Sequence, residues 1–242
     1  MAVSSGMARR KLQGGWRAAA VVGMIAAAAA TAAPKLPPPG NPAWEPLHFG
    51  RAERHTRYTP VENEQERWLS AESDCAASAL FLPLGGVDLS DTPLLRWRWR
   101  VDKTLEIEDE RSKPGDDFAA RVYVLFPFEK EHSSFFSRLQ RTIARILYER
   151  EPPGSALIFV WSSREPLGAR WTNPYAQDSR MRVLGTGPGG QWQQASVDVP
   201  AEYLAAFGRE PRNPIGLALM TDSDQSCQQA AARFADFRFA SR

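Results

Sequence analysis

The sequence predicts a mainly all-β domain that folds as a two-sheet antiparallel β-sandwich or jelly roll. Short segments rich in aromatic and β-branched residues recur between Gly, Pro and Asp turn signals, at the spacing of such folds. In segment 96–101, Trp and Val alternate with Arg, so one side of this strand is apolar and the other is charged. A chain of 242 residues, 43% of them hydrophobic, is long enough for one such domain.

Eleven segments are predicted to be strands, and most are bounded by breakers such as Gly85-Gly86 and Pro211. They are Leu47–Gly50, Thr56–Val61, Arg67–Ala71, Ser78–Leu84, Leu94–Val101, Phe118–Phe126, Ala156–Ser162, Met181–Leu184, Gln193–Val199, Ile215–Thr221 and Arg233–Phe239. One segment has a helical period instead. Phe135, Leu139 and Ile143 recur every four residues and predict an inserted amphipathic helix near 134–149. Such a stripe covers one end of a core or, as an alternative, binds a partner.

The N-terminus has the layout of an export signal. A basic segment ends at Arg17, an apolar stretch runs from Ala18 to Ala30, and small residues follow in an A-x-A-like pattern. We therefore expect a signal peptide over 1–33, a Pro-rich tether over 34–43 and a single domain over 44–242. The apolar stretch is shorter than the roughly 20 residues of a membrane span, so we expect no transmembrane segment after cleavage. The expected location is periplasmic or secreted, by either the general or the twin-arginine route.

The net charge argues against nucleic acid as a partner. Residues 1–33 hold four of the 30 Lys and Arg and no acidic residue, which leaves 26 basic against 28 acidic residues, a net charge of about −2. Phosphate backbones require clustered, uncompensated Lys and Arg. Cys75 and Cys227 lie far apart without a metal-binding spacing, so we weigh a disulfide against two buried thiols.

Two motif matches in the sequence predict no cofactor, and a third motif is absent. Residues 185–190 match G-x-G-x-x-G but lead into a strand, so we expect a loop and no dinucleotide. Residues 222–226 open like a calcium-binding loop, but Cys227 stands where Gly is required. A calcium ion near Asp222 and Asp224 is therefore not favoured, and we expect no metal or other cofactor. No G-x-S-x-G motif supports a serine nucleophile.

The alternation of two strands predicts a ligand site. If the apolar sides of 94–101 and 118–126 both face the core, Arg98, Arg121 and Tyr123 share the other face. Charged groups beside an aromatic ring suit sugar hydroxyls or a peptide backbone, although a solvated face with cross-strand ion pairs is the more common arrangement on β-sheets. The candidate ligand-binding residues are Arg98, Asp116, Asp117, Arg121, Tyr123, Trp161, Asp222 and Asp224. Trp161 or Trp171 is the expected stacking platform.

The chain also resembles a bacterial family, the "domain of unknown function 3047". The motifs that carry the resemblance are Trp97–Val101, Gly115–Tyr123, Arg150–Ala156, Tyr203–Gly208, Met220–Asp224 and Phe234–Phe239. It departs at Ile158-Phe159, where members more often have a polar residue and then Tyr, and at Cys227. The resemblance implies secretion and a jelly-roll-like sandwich similar to carbohydrate-binding modules, with no established activity, cofactor or catalytic residue.

The leading functional hypothesis is a periplasmic binding module for a glycan or another small polar ligand, without enzymatic activity. One alternative is a glycoside hydrolase that pairs Asp116 or Asp117 with Asp222, which requires two carboxyls about 5–10 Å apart across a cleft. Another is an envelope interaction protein whose helix, Phe135–Leu147, binds a partner. The oligomeric state is left open.

Overall fold

The computed structural model describes residues 1–2, 36–49, 52–128 and 153–242. Most of the expected signal peptide over 1–33 lies outside the described residues, and so does all of the inserted helix near 134–149 with its stripe from Phe135 to Leu147. The strands are β1 Glu45–His48, β2 Arg57–Glu62, β3 Arg67–Asp74, β4 Ala77–Pro83, β5 Leu94–Lys103, β6 Ala120–Pro127, β7 Pro153–Ser162, β8 Arg170–Thr172, β9 Ser179–Thr186, β10 Gln193–Asp198, β11 Gly216–Asp222 and β12 Gln229–Ala240.

The described strands form two sheets, which confirms the predicted β-sandwich. The seven-stranded sheet has the order β1-β4-β11-β6-β7-β9-β8, and the five-stranded sheet has the order β10-β5-β12-β3-β2. Neighbouring strands are antiparallel except β7 and β9, which run parallel. The β7–β9 pair therefore departs from the antiparallel pattern that the sequence predicts for the sandwich. The antiparallel strand β8, which the sequence analysis missed, lies beyond β9 at that edge.

The main core lies between the two sheets and is rich in tryptophan. The alternation of β5 turns Trp97 and Trp99 inward, and both are at most 1% exposed. The Trp99 ring packs edge-on against Trp161 of β7 in the other sheet, with centroids 6.0 Å apart. Aromatic side chains of this size bury a large apolar area, and this burial stabilises the contact between the two sheets.

The seven-stranded sheet is buried on both of its faces. On its side away from the main core, a second apolar cluster includes Phe118, Tyr123, Ile158 and Met220. Every residue of β6 and β11 is buried as a result. This pattern explains why these strands read as continuous apolar runs, whereas β5 alternates.

The short helix α1, Val199–Phe207, follows β10 directly. The Asp198 side chain caps it by accepting from the Ala201 backbone N–H at 3.1 Å, and Gly208 ends it in the left-handed conformation. The sequence analysis had ended a strand at Val199 and missed this helix, although the cap, Pro200 and the terminal glycine are its standard signals. In the described part of the chain, no helix has the length and apolar character needed to cross a membrane.

A disulfide joins Cys75 to Cys227 across 152 positions of sequence. Cys75 lies in the turn where the chain passes from β3 to β4, and Cys227 lies between β11 and β12. Both of these turns carry the chain from one sheet to the other, so the disulfide ties the two crossings together. Ser73 and Ser223 reinforce the junction with a hydrogen bond of 2.7 Å between their hydroxyls.

Candidate functional site

The structure gathers most of the acidic candidates around one buried arginine. Arg121 of β6 donates through Nε to Asp222 Oδ1 at 2.9 Å and through Nη1 to Asp116 Oδ1 at 3.1 Å. Its Nη2 reaches Asp222 Oδ2 and the Asp116 carbonyl oxygen. The guanidinium lies 4.6 Å from the centroid of the Phe118 ring. All three guanidinium nitrogens of Arg121 therefore donate hydrogen bonds within the protein itself.

Two further carboxylates adjoin this cluster. Asp117 accepts from the backbone N–H groups of Gln225 at 3.3 Å and Ser226 at 2.6 Å, so it holds the turn between β11 and β12. Carboxylate oxygens of Asp117, Asp222 and Asp224 lie within 4.8 Å of one another. Such a triad could offer oxygen ligands to a hard cation such as Ca²⁺. Since Asp117 and Asp222 already accept hydrogen bonds, their charge is compensated without an ion.

Burial sets the protonation preferences in this cluster. It raises the pKa of Asp222 well above its ordinary value, although the Arg121 guanidinium opposes that rise. Burial and the neighbouring Asp117 carboxylate raise the pKa of Asp224. Burial alone would lower the pKa of Arg121, but the Asp116 and Asp222 carboxylates outweigh burial and raise the pKa well above its ordinary value, so this side chain stays charged. The single Arg121 cation thus forms ion pairs with both the Asp116 and the Asp222 carboxylates.

The prediction that Arg98, Arg121 and Tyr123 share one face of a sheet is wrong. Arg98 lies on the five-stranded sheet, whereas Arg121 and Tyr123 lie on the seven-stranded sheet, on its side away from the main core. Arg121 is 2% and Tyr123 is 5% exposed, so neither presents a surface to a ligand. Alternation along each strand was predicted correctly, but it does not say which sheet a strand joins.

The prediction that Trp161 is an exposed ring on which a ligand stacks is also wrong. This side chain is 2% exposed, packs on Trp99 in the core and donates its indole N–H to the Gly187 carbonyl oxygen at 3.2 Å. Trp161 therefore serves the packing of the sandwich. Trp171 is partly buried, its ring lies 6.3 Å from that of Phe118, and the guanidinium of Arg111, an arginine outside the acidic cluster, lies 5.5 Å from its centroid, so Trp171 stays a candidate stacking platform.

The solvent-facing side of the five-stranded sheet presents a different set of residues, which we call the arginine face. Its members are Trp68, Arg96, Arg98, Arg100, Asp102, Trp192, Arg233, Asp236 and Arg238, with Glu66 at its margin. Arg98 is the one candidate from the sequence analysis that lies here. Strands β5 and β12 form the middle of the face, and β3 and β10 flank them.

Each of two tryptophans on this face packs beneath an arginine. The Arg98 guanidinium lies 4.8 Å from the Trp192 ring centroid, and the Arg233 guanidinium lies 5.3 Å from that of Trp68. Trp68 and Trp192 are partly exposed, unlike the tryptophans of the core. Stacked cations hold the indole rings in place at a sheet surface.

Carboxylates orient three of the arginines on the face. Arg98 donates to Asp236 at 2.5 Å and to Glu66 at 3.1 Å. Asp102 accepts from Arg100 at 2.5 Å and from Arg233 at 2.6 Å. These side chains are between a quarter and a half exposed, so their remaining donors and acceptors are open to solvent.

A β-bulge in β12 brings Asp236 to Arg98. The register pairs Ala235 with Arg98 and Arg238 with Arg96, so β12 has one residue more than β5 between these pairs. Asp236 takes up the extra residue with a φ of 59°, a left-handed conformation that Asp tolerates better than most residues. The sequence analysis missed Trp68, Trp192, Arg233 and Asp236. The alternation of β3 places Trp68 on the side opposite Leu69, and this pattern could have predicted an outward-facing tryptophan. No sequence pattern predicted the bulge.

Pocket geometry adds one concavity beside this face. A cavity of about 480 Å³ is lined by residues at the far end of β3 and β12, among them Arg57, Glu72, Lys103 and Gln229. A second, of about 600 Å³, lies near Thr104–Glu108 and Arg164. Neither is lined by Asp116, Asp117 or Asp222.

Comparison with known proteins gives a family and distant structural neighbours. The family model described as "Protein of unknown function (DUF3047)" matches residues 42–238. No curated protein matches the sequence. A family 11 carbohydrate-binding module from Clostridium thermocellum, solved with a beta-1,3-1,4-mixed-linked tetrasaccharide, is similar with a TM-score of 0.41 and 6% identity, over 84% of this chain and 91% of the module. SGBP-B from a xyloglucan utilization locus in Bacteroides uniformis is similar with a TM-score of 0.31 and 13% identity, over 83% of this chain and 50% of that protein.

Proposed function

Because the chain belongs to the DUF3047 family, whose description assigns no activity, we propose a function from its surface chemistry: an exported, non-enzymatic module that binds a glycan chain on the arginine face. The observation that carries the proposal is the pair of partly exposed tryptophans, Trp68 and Trp192, on either side of ordered Arg and carboxylate groups. Sugar rings offer an apolar face to aromatic side chains and hydroxyl groups to charged ones.

The dimensions of the face suit an extended ligand. Trp192 precedes β10 and Trp68 lies on β3, with β5 and β12 between them. At about 4.8 Å for each step between strands, the backbones that carry the two tryptophans are separated by roughly 14 Å across the sheet. A ligand that touches both must therefore span several saccharide units.

The polar groups between the tryptophans are already held in place. Asp102 is fixed by two arginines, and Arg98 is fixed by two carboxylates. A surface whose donors and acceptors are ordered before binding loses less conformational entropy when a ligand docks. This preorganisation supports recognition by the sheet itself and requires no loop closure.

The hydrolase alternative has less support. Asp116, Asp117 and Asp222 are each at most 6% exposed, and two of them are paired with Arg121. A glycosidase needs its two carboxyls at a cleft that admits the sugar and a water molecule. These residues are placed to stabilise the fold. The interaction-protein alternative depends on Phe135–Leu147, which lie outside the described residues.

Binding to a panel of immobilised plant and bacterial polysaccharides tests the proposal, with affinities then measured by calorimetry. We expect at least one glycan to bind, and Trp68→Ala and Trp192→Ala each to weaken it about tenfold, which corresponds to about 1.4 kcal/mol. Tyr175→Ala is the matched control, because Tyr175 is an exposed aromatic residue on the other sheet's loops. Failure of every glycan to bind, or unchanged affinity in both tryptophan variants, would contradict the proposal.

The proposed export rests on the N-terminal pattern and is supported by the disulfide. Oxidised cysteine pairs persist outside the cytoplasm, where thiols are not kept reduced. We expect the mature protein recovered from cells to begin at Ala33 or Pro34. Mass spectrometry of its N-terminal peptide checks this, and recovery of residues 1–33 on the mature protein would argue against export by cleavage.

A further inference from the structure

The arginine face has more arginines than carboxylates. Its five arginines are Arg96, Arg98, Arg100, Arg233 and Arg238. Glu66, Asp102 and Asp236 pair with Arg98, Arg100 and Arg233 only. Among the described residues, no carboxylate forms an ion pair with Arg96 or Arg238. The excess positive charge is therefore localised at one end of the face.

The two remaining arginines lie directly opposite each other. Arg96 of β5 and Arg238 of β12 are register partners, and both point away from the core. Like charges at directly opposed positions of an antiparallel pair destabilise a sheet. The hydrogen bond that Arg238 makes to the Asp236 carbonyl oxygen is long, at 3.5 Å, and does not neutralise its charge.

The bulge of β12 creates this opposition. If β12 continued in regular register beyond Ala235, the residue paired with Arg96 would be Phe237 instead of Arg238. The same bulge turns the Asp236 carboxylate to Arg98. It thus neutralises Arg98 while it aligns Arg96 and Arg238, and the fold tolerates a left-handed non-glycine residue to do so.

We propose that Arg96 and Arg238 bind a carboxylate of the ligand, so that the glycan recognised by this face is acidic and contains uronate units. This inference rests on the proposed function. Two guanidinium groups can each donate to a carboxylate oxygen, and Ser196, the β10 neighbour of Arg96, adds a hydroxyl beside them. The carboxylate replaces the missing counter-charge of the pair.

The composition of the face favours a uronate glycan over a polyphosphate. Asp102, Asp236 and Glu66 lie along the same surface. Their carboxylates would repel a polyphosphate, because every repeat unit of that chain carries a negative charge. Carboxylates of this kind accept hydrogen bonds from sugar hydroxyls. A ligand that combines many hydroxyls with spaced carboxylates matches both features.

The test compares galacturonate, glucuronate and mannuronate oligosaccharides with their methyl esters, which keep the sugar and remove the charge. Calorimetry on the whole mature chain is expected to show about tenfold tighter binding of at least one acid form, with the preference reduced at high salt. Arg96→Gln and Arg238→Gln are each expected to weaken binding of the acid about tenfold and to leave binding of the ester unchanged. Arg164→Gln, which removes an exposed arginine after β7, is the charge-matched control and should bind both forms as wild type does.

The outcomes separate this inference from the proposed function. Equal affinity for acid and ester, or an unchanged preference in both arginine variants, overturns the inference. If no uronate binds but a neutral glycan does, and Trp68→Ala or Trp192→Ala weakens it, the inference fails and the proposed function stands. If no glycan of either kind binds, the proposed function fails first. Thermal unfolding confirms that each variant is folded before binding is measured.

Discussion

Arg121 of β6 and Asp222 of β11 form an ion pair through two guanidinium nitrogens, and each side chain is 2% exposed. The pair bonds two neighbouring strands at the end of the seven-stranded sheet, where the backbone N–H of Asp222 also donates to the Phe118 carbonyl oxygen at 3.1 Å. Buried ions are tolerated only when their hydrogen bonds are complete. The two residues therefore act as one structural unit.

Loss of Arg121 is expected to be severe. Arg121→Met leaves Asp116 and Asp222 buried without their cation, and breaking such a pair costs about 3–5 kcal/mol. Urea unfolding measures the change in the free energy of unfolding. Arg67→Gln is the control, because Arg67 and Glu62 pair on the surface at more than half exposure, where such pairs contribute about 0–1 kcal/mol. Equal losses in the two variants would show that the buried pair has no special role.

Asp224 predicts a particular pH dependence. Burial and the Asp117 carboxylate raise its pKa in the folded protein, so the folded state binds more protons than the unfolded state between the two pKa values. Its contribution to stability is therefore present at low pH and falls as the pH rises through this window. We expect Asp224→Asn to raise Tm at neutral pH and to match wild type near about pH 3.

Asp88 provides a control of opposite sign for that experiment. Hydrogen bonds from the Ser90 backbone and hydroxyl lower the pKa of the Asp88 carboxyl. Its contribution to stability is present at neutral pH and is lost as the pH falls, so Asp88→Asn should lower Tm at neutral pH. Shifts of the same sign in both variants would contradict the assignment of opposite environments.

The disulfide between Cys75 and Cys227 is expected to be a major source of stability. It closes a loop of 152 positions, for which the chain-entropy relation gives about 5 kcal/mol. Reduction should therefore lower Tm sharply. Both cysteines have positive φ, 49° and 52°. Cys75→Gly/Cys227→Gly should consequently lose less stability than Cys75→Ala/Cys227→Ala, since glycine adopts this conformation without steric cost. The reverse order would contradict strain at these positions.

Calcium is expected to have no effect on stability. Both carboxylate oxygens of Asp222 accept from Arg121, and those of Asp117 accept from Gln225 and Ser226. An ion present at a hundred times its Kd would add about 2.7 kcal/mol, which thermal unfolding with calcium and with a chelator detects readily. A rise in Tm with calcium that Asp224→Asn abolishes would instead establish a cation site.

The sequence allowed the secondary structure to be predicted far better than the site. Eleven strands were predicted near their observed bounds, because alternation and turn residues are local signals. Whether Arg98 and Arg121 share a face depends on which sheet each strand joins, and this pairing is non-local. The partial exposure of Trp68 and Trp192 depends on the same pairing. Helix α1 was missed although Asp198 and Gly208 marked its ends, because the preceding strand runs into it without a loop.

The bulge at Asp236 sets which side of the end of β12 faces the core. Phe237 and Phe239 are buried, whereas Arg238 between them is exposed. Phe234 is also buried, and strict alternation from it would turn both later phenylalanines to solvent and Arg238 into the core. The bulge corrects this phase. Deletion of Asp236 would remove the bulge and leave all three phenylalanines inside by plain alternation, so a chain shortened at this point would keep its core and lose the carboxylate that pairs with Arg98.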